Sequence, residues 1–216
     1  MKILTDLHID YNNLSLYKQA FTHSSYSNEH SNNQDYERLE FLGDAVLELI
    51  TSDYLFHNFD LEEGVMTKMR ASYVCENALY KYATDLNFND YILVGTGDDA
   101  SNVTIMADVF EAFIGAMYLD KGYSFTKNQI ISIISPYIEQ HYNFLEDYKS
   151  QLQELVQTVK KSVNYVVVRE CGPSHDKTFT VEAKVNGIVM GRGTAKSKKA
   201  AEQLAARVAL TKQAKI

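Results

Sequence analysis

Asp35-Tyr36-Glu37-Arg38-Leu39-Glu40-Phe41-Leu42-Gly43-Asp44-Ala45-Val46-Leu47-Glu48-Leu49 carries a fold signal and a chemical signal together. At 3.6 residues per turn, Leu39, Leu42, Val46 and Leu49 form an apolar stripe, so the stretch reads as a helix with one face in a core. Glu37, Glu40, Asp44 and Glu48 follow one another at spacings of three, four and four and share one side of that helix. Like charges at these spacings destabilise a helix, and a divalent cation is the simplest compensation. Gly43 costs about 1 kcal/mol relative to Ala in a helix interior, which places it where another backbone comes close.

An acidic helix face is by itself compatible with solvated surface. The segment Ile105-Met106-Ala107-Asp108-Val109-Phe110-Glu111-Ala112-Phe113-Ile114-Gly115-Ala116-Met117-Tyr118-Leu119 argues for more. Its only charges are Asp108 and Glu111, three apart, on a helix otherwise apolar all round and therefore buried. Buried carboxylates need a counter-charge, and this segment contains no Lys or Arg. All the candidate ligands are oxygens, which suits Mg²⁺, with Mn²⁺ as a substitute, rather than zinc. A di-iron bundle requires Glu-x-x-His pairs, and none of the six histidines stands three residues after a Glu. Carboxylate-bound Mg²⁺ serves phosphoryl chemistry most often.

The charge is divided unevenly along the chain. Residues 1–147 hold 8 Lys/Arg against 23 Asp/Glu, a balance of −15, whereas residues 148–216 hold 13 against 5, a balance of +8. A basic nucleic-acid-binding unit attached to an acidic partner fits this asymmetry. The 216 residues suffice for two modest domains, and the composition is 45% hydrophobic and 23% charged, ordinary for a soluble chain. The sequence has no apolar run of membrane-spanning length and no signal-peptide core after Met1, and its two cysteines, Cys75 and Cys171, fall in different halves. A reduced cytoplasmic location without membrane association is expected. The Gly95-x-Gly97 loop lacks the strand context of a dinucleotide site, so no nucleotide cofactor is expected.

Apolar periodicity predicts an all-α first domain, with helices across 14–21, 39–56, 66–86, 103–119 and 130–144. The period then changes. A helix over Lys149–Val159, with Leu152, Leu155, Val156 and Val159 inward, precedes β-rich runs at Tyr165–Cys171, Thr178–Val185 and Ile188–Thr194. Ser150 with Gln153 has capping-box spacing, Asn186-Gly187 is a two-residue hairpin signal, and Ser197 caps a closing helix over Lys198–Lys212. Ala201, Leu204, Ala205, Val208 and Ala209 are its expected inward face. The predicted architecture is therefore an all-α domain over 1–146 and a small α+β domain, ordered α-β-β-β-α, over 147–216.

Glu37-Arg38-Leu39-Glu40-Phe41-Leu42-Gly43-Asp44 resembles the signature of the ribonuclease III family of double-stranded RNA endonucleases. Ala107-Asp108-Val109-Phe110-Glu111-Ala112 through Asp120 is similar to its second catalytic helix, and Glu63–Arg70 and Phe21–Tyr26 to its intermediate motifs. The second half is similar to a double-stranded RNA-binding domain at Leu152-Gln153-Glu154, Gly172-Pro173-Ser174-His175 and Lys196-Ser197-Lys198-Lys199. The resemblance implies a metal-dependent endoribonuclease leaving 5′-phosphate and 3′-hydroxyl ends with short 3′ overhangs, acting in rRNA and mRNA processing and decay. Glu40, Asp44, Asp108 and Glu111 would be its metal ligands, with Asp44 and Glu111 catalytic and Glu111 indispensable. Glu37 and Glu63 would be secondary acidic residues of the cleft. Phe41 would insert into a second copy in a homodimer. Gln153, Glu154, Gln157, Ser174, His175, Lys196, Lys198 and Lys199 would meet double-stranded RNA, reading A-form shape and 2′-hydroxyls rather than sequence.

Two alternatives stand beside this reading. One is a catalytically silent double-stranded RNA-binding protein, and the other is a processing-complex component whose helical domain only dimerises. The loop Asp98-Asp99-Ala100-Ser101-Asn102-Val103-Thr104 is shorter than the family's usual one and carries no basic residue, which bears on affinity and not on the carboxylates.

Overall fold

The computed structural model describes residues 1–30, 33–142, 144–145, 148–158, 160–173 and 177–213. The chain divides into two compact units, Met1–Leu145 and Glu146–Ile216. The first unit runs α1 (Lys2–Asp6), α2 (Leu14–Ala20), α3 (Ser24–Glu29), α4 (Glu37–Asn58), α5 (Glu63–Tyr73), α6 (Glu76–Asp85), a 3₁₀ turn at Phe88–Asp90, α7 (Val103–Lys121) and α8 (Tyr123–Glu139). The second runs α9 (Tyr148–Thr158), strands β1 (Val163–Cys171), β2 (Thr178–Val185) and β3 (Ile188–Ala195), and α10 (Lys198–Gln213). This is the predicted all-α domain followed by an α-β-β-β-α domain. Among the described residues no helix is long and apolar enough to cross a membrane.

The apolar helix α7 is the axis of the first unit. The Asn102 side chain accepts from the Thr104 and Ile105 amides and so caps its start, and Gly122 at φ 77° ends it. Ile105, Met106, Ala107, Val109, Phe110 and nearly every residue from Ala112 to Met117 are buried, and α2, α4, α6 and α8 pack around them. Phe21, Phe88, Phe110 and Phe113 interlock at tilted and edge-on angles, the geometry that ring quadrupoles favour. At the far end, Asp120 accepts from the Asn13 amide (2.7 Å) and the Tyr17 hydroxyl (3.1 Å), fastening α2 to α7.

The crossing of α4 and α7 is closed by glycine. A Cβ on Gly43 would lie 1.8 Å from the Glu111 carbonyl oxygen, and one on Gly115 would lie 2.2 Å from that of Leu39. Both distances are far inside van der Waals contact, so the two backbones touch only because neither residue has a side chain. The close backbone approach expected at Gly43 is thus met by α7.

The core-facing set of α4 differs from the simple stripe. Leu39, Gly43, Val46, Leu47 and Ile50 are buried, whereas Leu49 is exposed and Leu42 half-buried. The helix therefore carries two apolar faces, one in the core and one toward solvent. The predicted single helix over 66–86 is two helices: Cys75 adopts extended backbone (φ −76°, ψ 158°) between them. The break lets Ala78, Leu79, Tyr82 and Ala83 turn together into the core, which a straight continuation of α5 would not permit. The last helix ends at Glu139 rather than near 144, with His141 in the left-handed region at φ 51°.

The second unit is an antiparallel sheet of order β1-β2-β3 covered by α9 and α10. Asn186 (φ 49°) and Gly187 (φ 82°) form the hairpin turn with both residues left-handed, as a type I′ turn requires. Leu152, Val156, Val181, Ala183, Val185, Ala201, Ala205, Ala206 and Ala209 form the core. Gly191 and Gly193 let α10 settle on β3, since a Cβ there would meet the Ala205 and Ala201 carbonyl oxygens at 2.1 and 2.4 Å. Ala206 takes an inward place expected for Leu204 and Val208, which line a groove with Gly193 and Thr194 instead. Leu155 is exposed, and Val159 lies outside the described residues. Helix α9 starts at Tyr148, two residues before Ser150. Its first turn is held by α10, with the Lys149 amide donating to Gln203 Oε1 (3.1 Å) and the Lys149 ammonium pairing with Glu202.

Adding one methyl group at the crossing should be costly. Gly43→Ala or Gly115→Ala is expected to destabilise the protein by roughly 3 kcal/mol or more, since overpacking against backbone has little room to relax. Gly64→Ala, where a Cβ would meet nothing within 4 Å, should be neutral or slightly stabilising. Urea midpoints of the three variants check this.

Candidate functional site

The glycine crossing places carboxylates from both helices beside one another. Glu40 and Asp44 flank Gly43 on α4, and Asp108 and Glu111 precede Gly115 on α7. The Glu111 backbone is the one that touches Gly43. Glu111 and Asp108 are half-buried, as is Glu40, while Asp44 stands in solvent. Burial first, and then the charges of Asp44, Glu40, Asp108 and Glu48, push the Glu111 carboxyl up to about 8. Burial, followed by Asp108, Glu37 and Asp44, pushes Glu40 up to about 7. Asp108 is also raised, chiefly by burial, against the opposing effect of a hydrogen bond donated by Tyr36 (3.2 Å to Oδ2).

The four carboxylates expected to bind metal therefore share one electrostatic site, with Glu37 and Glu48 at its margin. Among the described residues no three acidic, His or Cys side chains stand in a ready-made ligand cage. The donor set nonetheless fits a hard divalent cation: it is all oxygen, half-buried at Glu40, Asp108 and Glu111, and the charges acting on Glu111 are all carboxylates. Sequence reading missed Glu76, whose charge also raises Asp108 and whose Oε1 accepts from the Thr104 hydroxyl (2.7 Å). It missed Tyr36 as well. Neither belongs to a run of acidic residues at helical spacing, so periodicity had no purchase on them.

Glu63 stands on a third helix. It opens α5, its Oε1 accepts from the Thr67 hydroxyl (2.8 Å), and it lines a groove of about 500 Å³ with Asp53, Phe56 and Arg70. The same groove takes in α4 from Leu49 to Phe56. Glu63 is not among the charges that shift Glu40, Asp108 or Glu111.

Phe41 is 83% exposed on the outer face of α4. Leu49, Phe56 and Leu119 are large exposed apolar residues of the same unit, and Phe41, Leu42 and Leu119 line one groove together. In the second unit, Glu154 and Gln157 are exposed on α9 beside the half-buried Gln153. Ser197 Oγ accepts from the Ala200 amide (3.2 Å), capping α10 as expected. Lys196, Lys198 and Lys199 stand exposed around that cap, with the Lys198 ammonium 5.5 Å from the centre of the Phe179 ring. Cations at a helix N-terminus, where free amides already favour anions, make a phosphate-binding surface. Ser174 and His175 lie outside the described residues.

Residues 13–138, which contain the carboxylate cluster, match the family described as Ribonuclease-III-like. The chain belongs to the ribonuclease III family. Residues 148–213 match the double-stranded RNA binding motif. The chain is 47% identical over 213 residues to Ribonuclease 3 of Onion yellows phytoplasma (strain OY-M), covering 97% of this chain and 89% of that protein. It is 48% identical over 212 residues to Ribonuclease 3 of Listeria monocytogenes, covering 94% and 93%. The nuclease domain of ribonuclease III from Campylobacter jejuni superposes with a TM-score of 0.58 at 36% identity, over 62% of this chain and 95% of that one. The protein is a double-stranded RNA endoribonuclease of a metal-dependent family, and nothing favours the silent alternative.

The raised carboxyls give the metal-free protein a definite pH response. Glu40 and Glu111 hold protons more tightly folded than unfolded, so the native state binds more protons between the ordinary value of 4.5 and about 8. Stability must therefore fall as pH rises through that window and level off above it. Denaturant midpoints from pH 5 to 9 in the presence of chelator should show this decline. Glu111→Gln should flatten its upper half, and a rise in wild-type stability across the window would contradict the assignment.

Proposed function

We propose that Glu40, Asp44, Asp108 and Glu111 hold Mg²⁺, with Mn²⁺ as a substitute, and that this site hydrolyses the phosphodiester bonds of double-stranded RNA. The observation that carries the reading is the backbone contact of α4 and α7 at Gly43 and Gly115. It forces half-buried carboxylates of two helices together, with mutual repulsion that a hard cation relieves. A cation held by these residues would supply activation of water and neutralisation of charge on the phosphorus centre. Asp44 and Glu111 act at the reacting atoms, and Glu111 matters most because it is desolvated and feels the most neighbouring charge. Glu37 borders the site. The products carry 5′-phosphate and 3′-hydroxyl ends with short 3′ overhangs, as in rRNA and mRNA maturation and decay.

The boundary between the nuclease and RNA-binding domains is taken at 146/147. Gln153, Glu154, Gln157, Lys196, Lys198 and Lys199, with Ser174 and His175, grip the duplex. The nuclease domain repels phosphate overall, so this basic domain supplies most of the affinity. Two copies act together: a duplex has two strands and each chain carries one set of four carboxylates. The exposed Phe41 and its apolar surroundings supply the contact surface. The Campylobacter jejuni structure is itself described by a region involved in dimer formation. The cytoplasm is the expected compartment.

Glu111→Gln keeps the side-chain size and removes its charge. Cleavage of a long RNA duplex in Mg²⁺ should fall on the order of 10³-fold, while duplex binding by gel shift persists. Near-normal turnover would sink the metal assignment.

Phe41→Ala should weaken self-association by about 2 kcal/mol for each copy of the ring lost from the interface. Sedimentation across a concentration series reads the shift. A wild-type monomer at micromolar concentration would rule out the dimer.

A further inference from the structure

Tyr36 joins the two carboxylate helices by a different route from the glycine crossing. Its carbonyl accepts from the Leu39 (2.8 Å) and Glu40 (2.9 Å) amides, so its backbone closes the first turn of α4, the turn that carries Glu40. Its own amide donates to the Thr22 carbonyl (3.0 Å). Its side chain reaches to α7, where the hydroxyl donates to Asp108 Oδ2 at 3.2 Å. The residue is only 3% exposed. A carboxylate that has one oxygen occupied by a buried donor keeps the other for a ligand and loses its freedom to rotate.

The ring is braced in turn. His23 lies against it with centroids 5.7 Å apart. His23 Nδ1 takes the Ser25 amide (3.3 Å) and sits 2.7 Å from the Ser25 hydroxyl, which the Gly95 amide meets at 2.9 Å. The His23 amide donates to the Leu93 carbonyl (2.9 Å). Asp98 lies 3.7 Å from the same imidazole nitrogen, and Glu76 faces Asp108 from α6. Facing a carboxylate oxygen, which only accepts, the tyrosine hydroxyl is the donor of this pair.

We propose that Tyr36 is a positioning residue, whose hydroxyl fixes the Asp108 carboxylate in the orientation that receives the divalent cation. This rests on the metal-site reading above. Tyr36→Phe keeps the ring and deletes only the donor. In the full-length protein, Mg²⁺ affinity measured by calorimetry without RNA should fall roughly 10- to 100-fold, the usual cost of losing a hydrogen bond to a metal ligand. The Mg²⁺ concentration for half-maximal cleavage should rise by the same factor, with KM for duplex RNA unchanged and activity partly restored at high Mg²⁺. Unaltered Mg²⁺ affinity overturns the proposal, as does a uniform loss of activity at every Mg²⁺ concentration. Asp108→Asn and Glu111→Gln, titrated in parallel, separate the two readings. If they also keep wild-type affinity, the metal assignment fails; if they lose it while Tyr36→Phe does not, only the positioning role fails. A fluorinated tyrosine at position 36 retains the hydroxyl and tests the same point without altering the core. Its fluorine resonance should move as Mg²⁺ is added and stay still in the Asp108→Asn background; no movement in the wild-type background overturns the proposal.

Discussion

Two glycines facing each other across α4 and α7 set the geometry on which the site depends. With Gly43 and Gly115 bare, the carbonyl of Glu111 and that of Leu39 occupy space that any side chain would fill. Helices that approach so closely bring their flanking residues closer than ordinary packing allows, since side chains normally hold helix axes 8–10 Å apart. The flanking residues here are acids. The burial of α7 supplies the stability that makes their mutual repulsion tolerable. Packing, electrostatics and chemistry are thus consequences of one backbone contact.

The two halves of the chain solve opposite electrostatic problems. The nuclease unit carries a net negative charge, so it has little attraction for a polyanion at long range. The second unit carries a net positive charge and exposes lysines around the Ser197 cap. Its own acidic residues are largely neutralised internally, as in Glu182 with Arg192 and Lys184, and Glu170 with Lys177.

Much of this was legible in the order of residues. The spacing of Glu37, Glu40, Asp44 and Glu48, and the isolation of Asp108 and Glu111 on an apolar helix, pointed to the carboxylate site. Gly43 announced the close approach, and Asn186-Gly187 the hairpin. Other features needed three dimensions. The break at Cys75 is invisible to periodicity because both helices carry apolar residues at compatible spacing. Leu49 reads as core because a stripe does not say whether water or protein faces it. Tyr36 and Glu76 act on Asp108 only through the fold, from 72 residues away in the first case.

The central claim is that the crossing holds protonated carboxyls which surrender their protons to a divalent cation. Calorimetric titration of Mg²⁺ into the RNA-free protein at pH 7, in buffers of different ionisation enthalpy, measures that exchange directly. With Glu111 raised to about 8 and Glu40 to about 7, binding should release between about one and two protons per site. Release should shrink to less than one in Glu111→Gln. Mg²⁺ binding with no proton release in the wild-type protein would contradict the account.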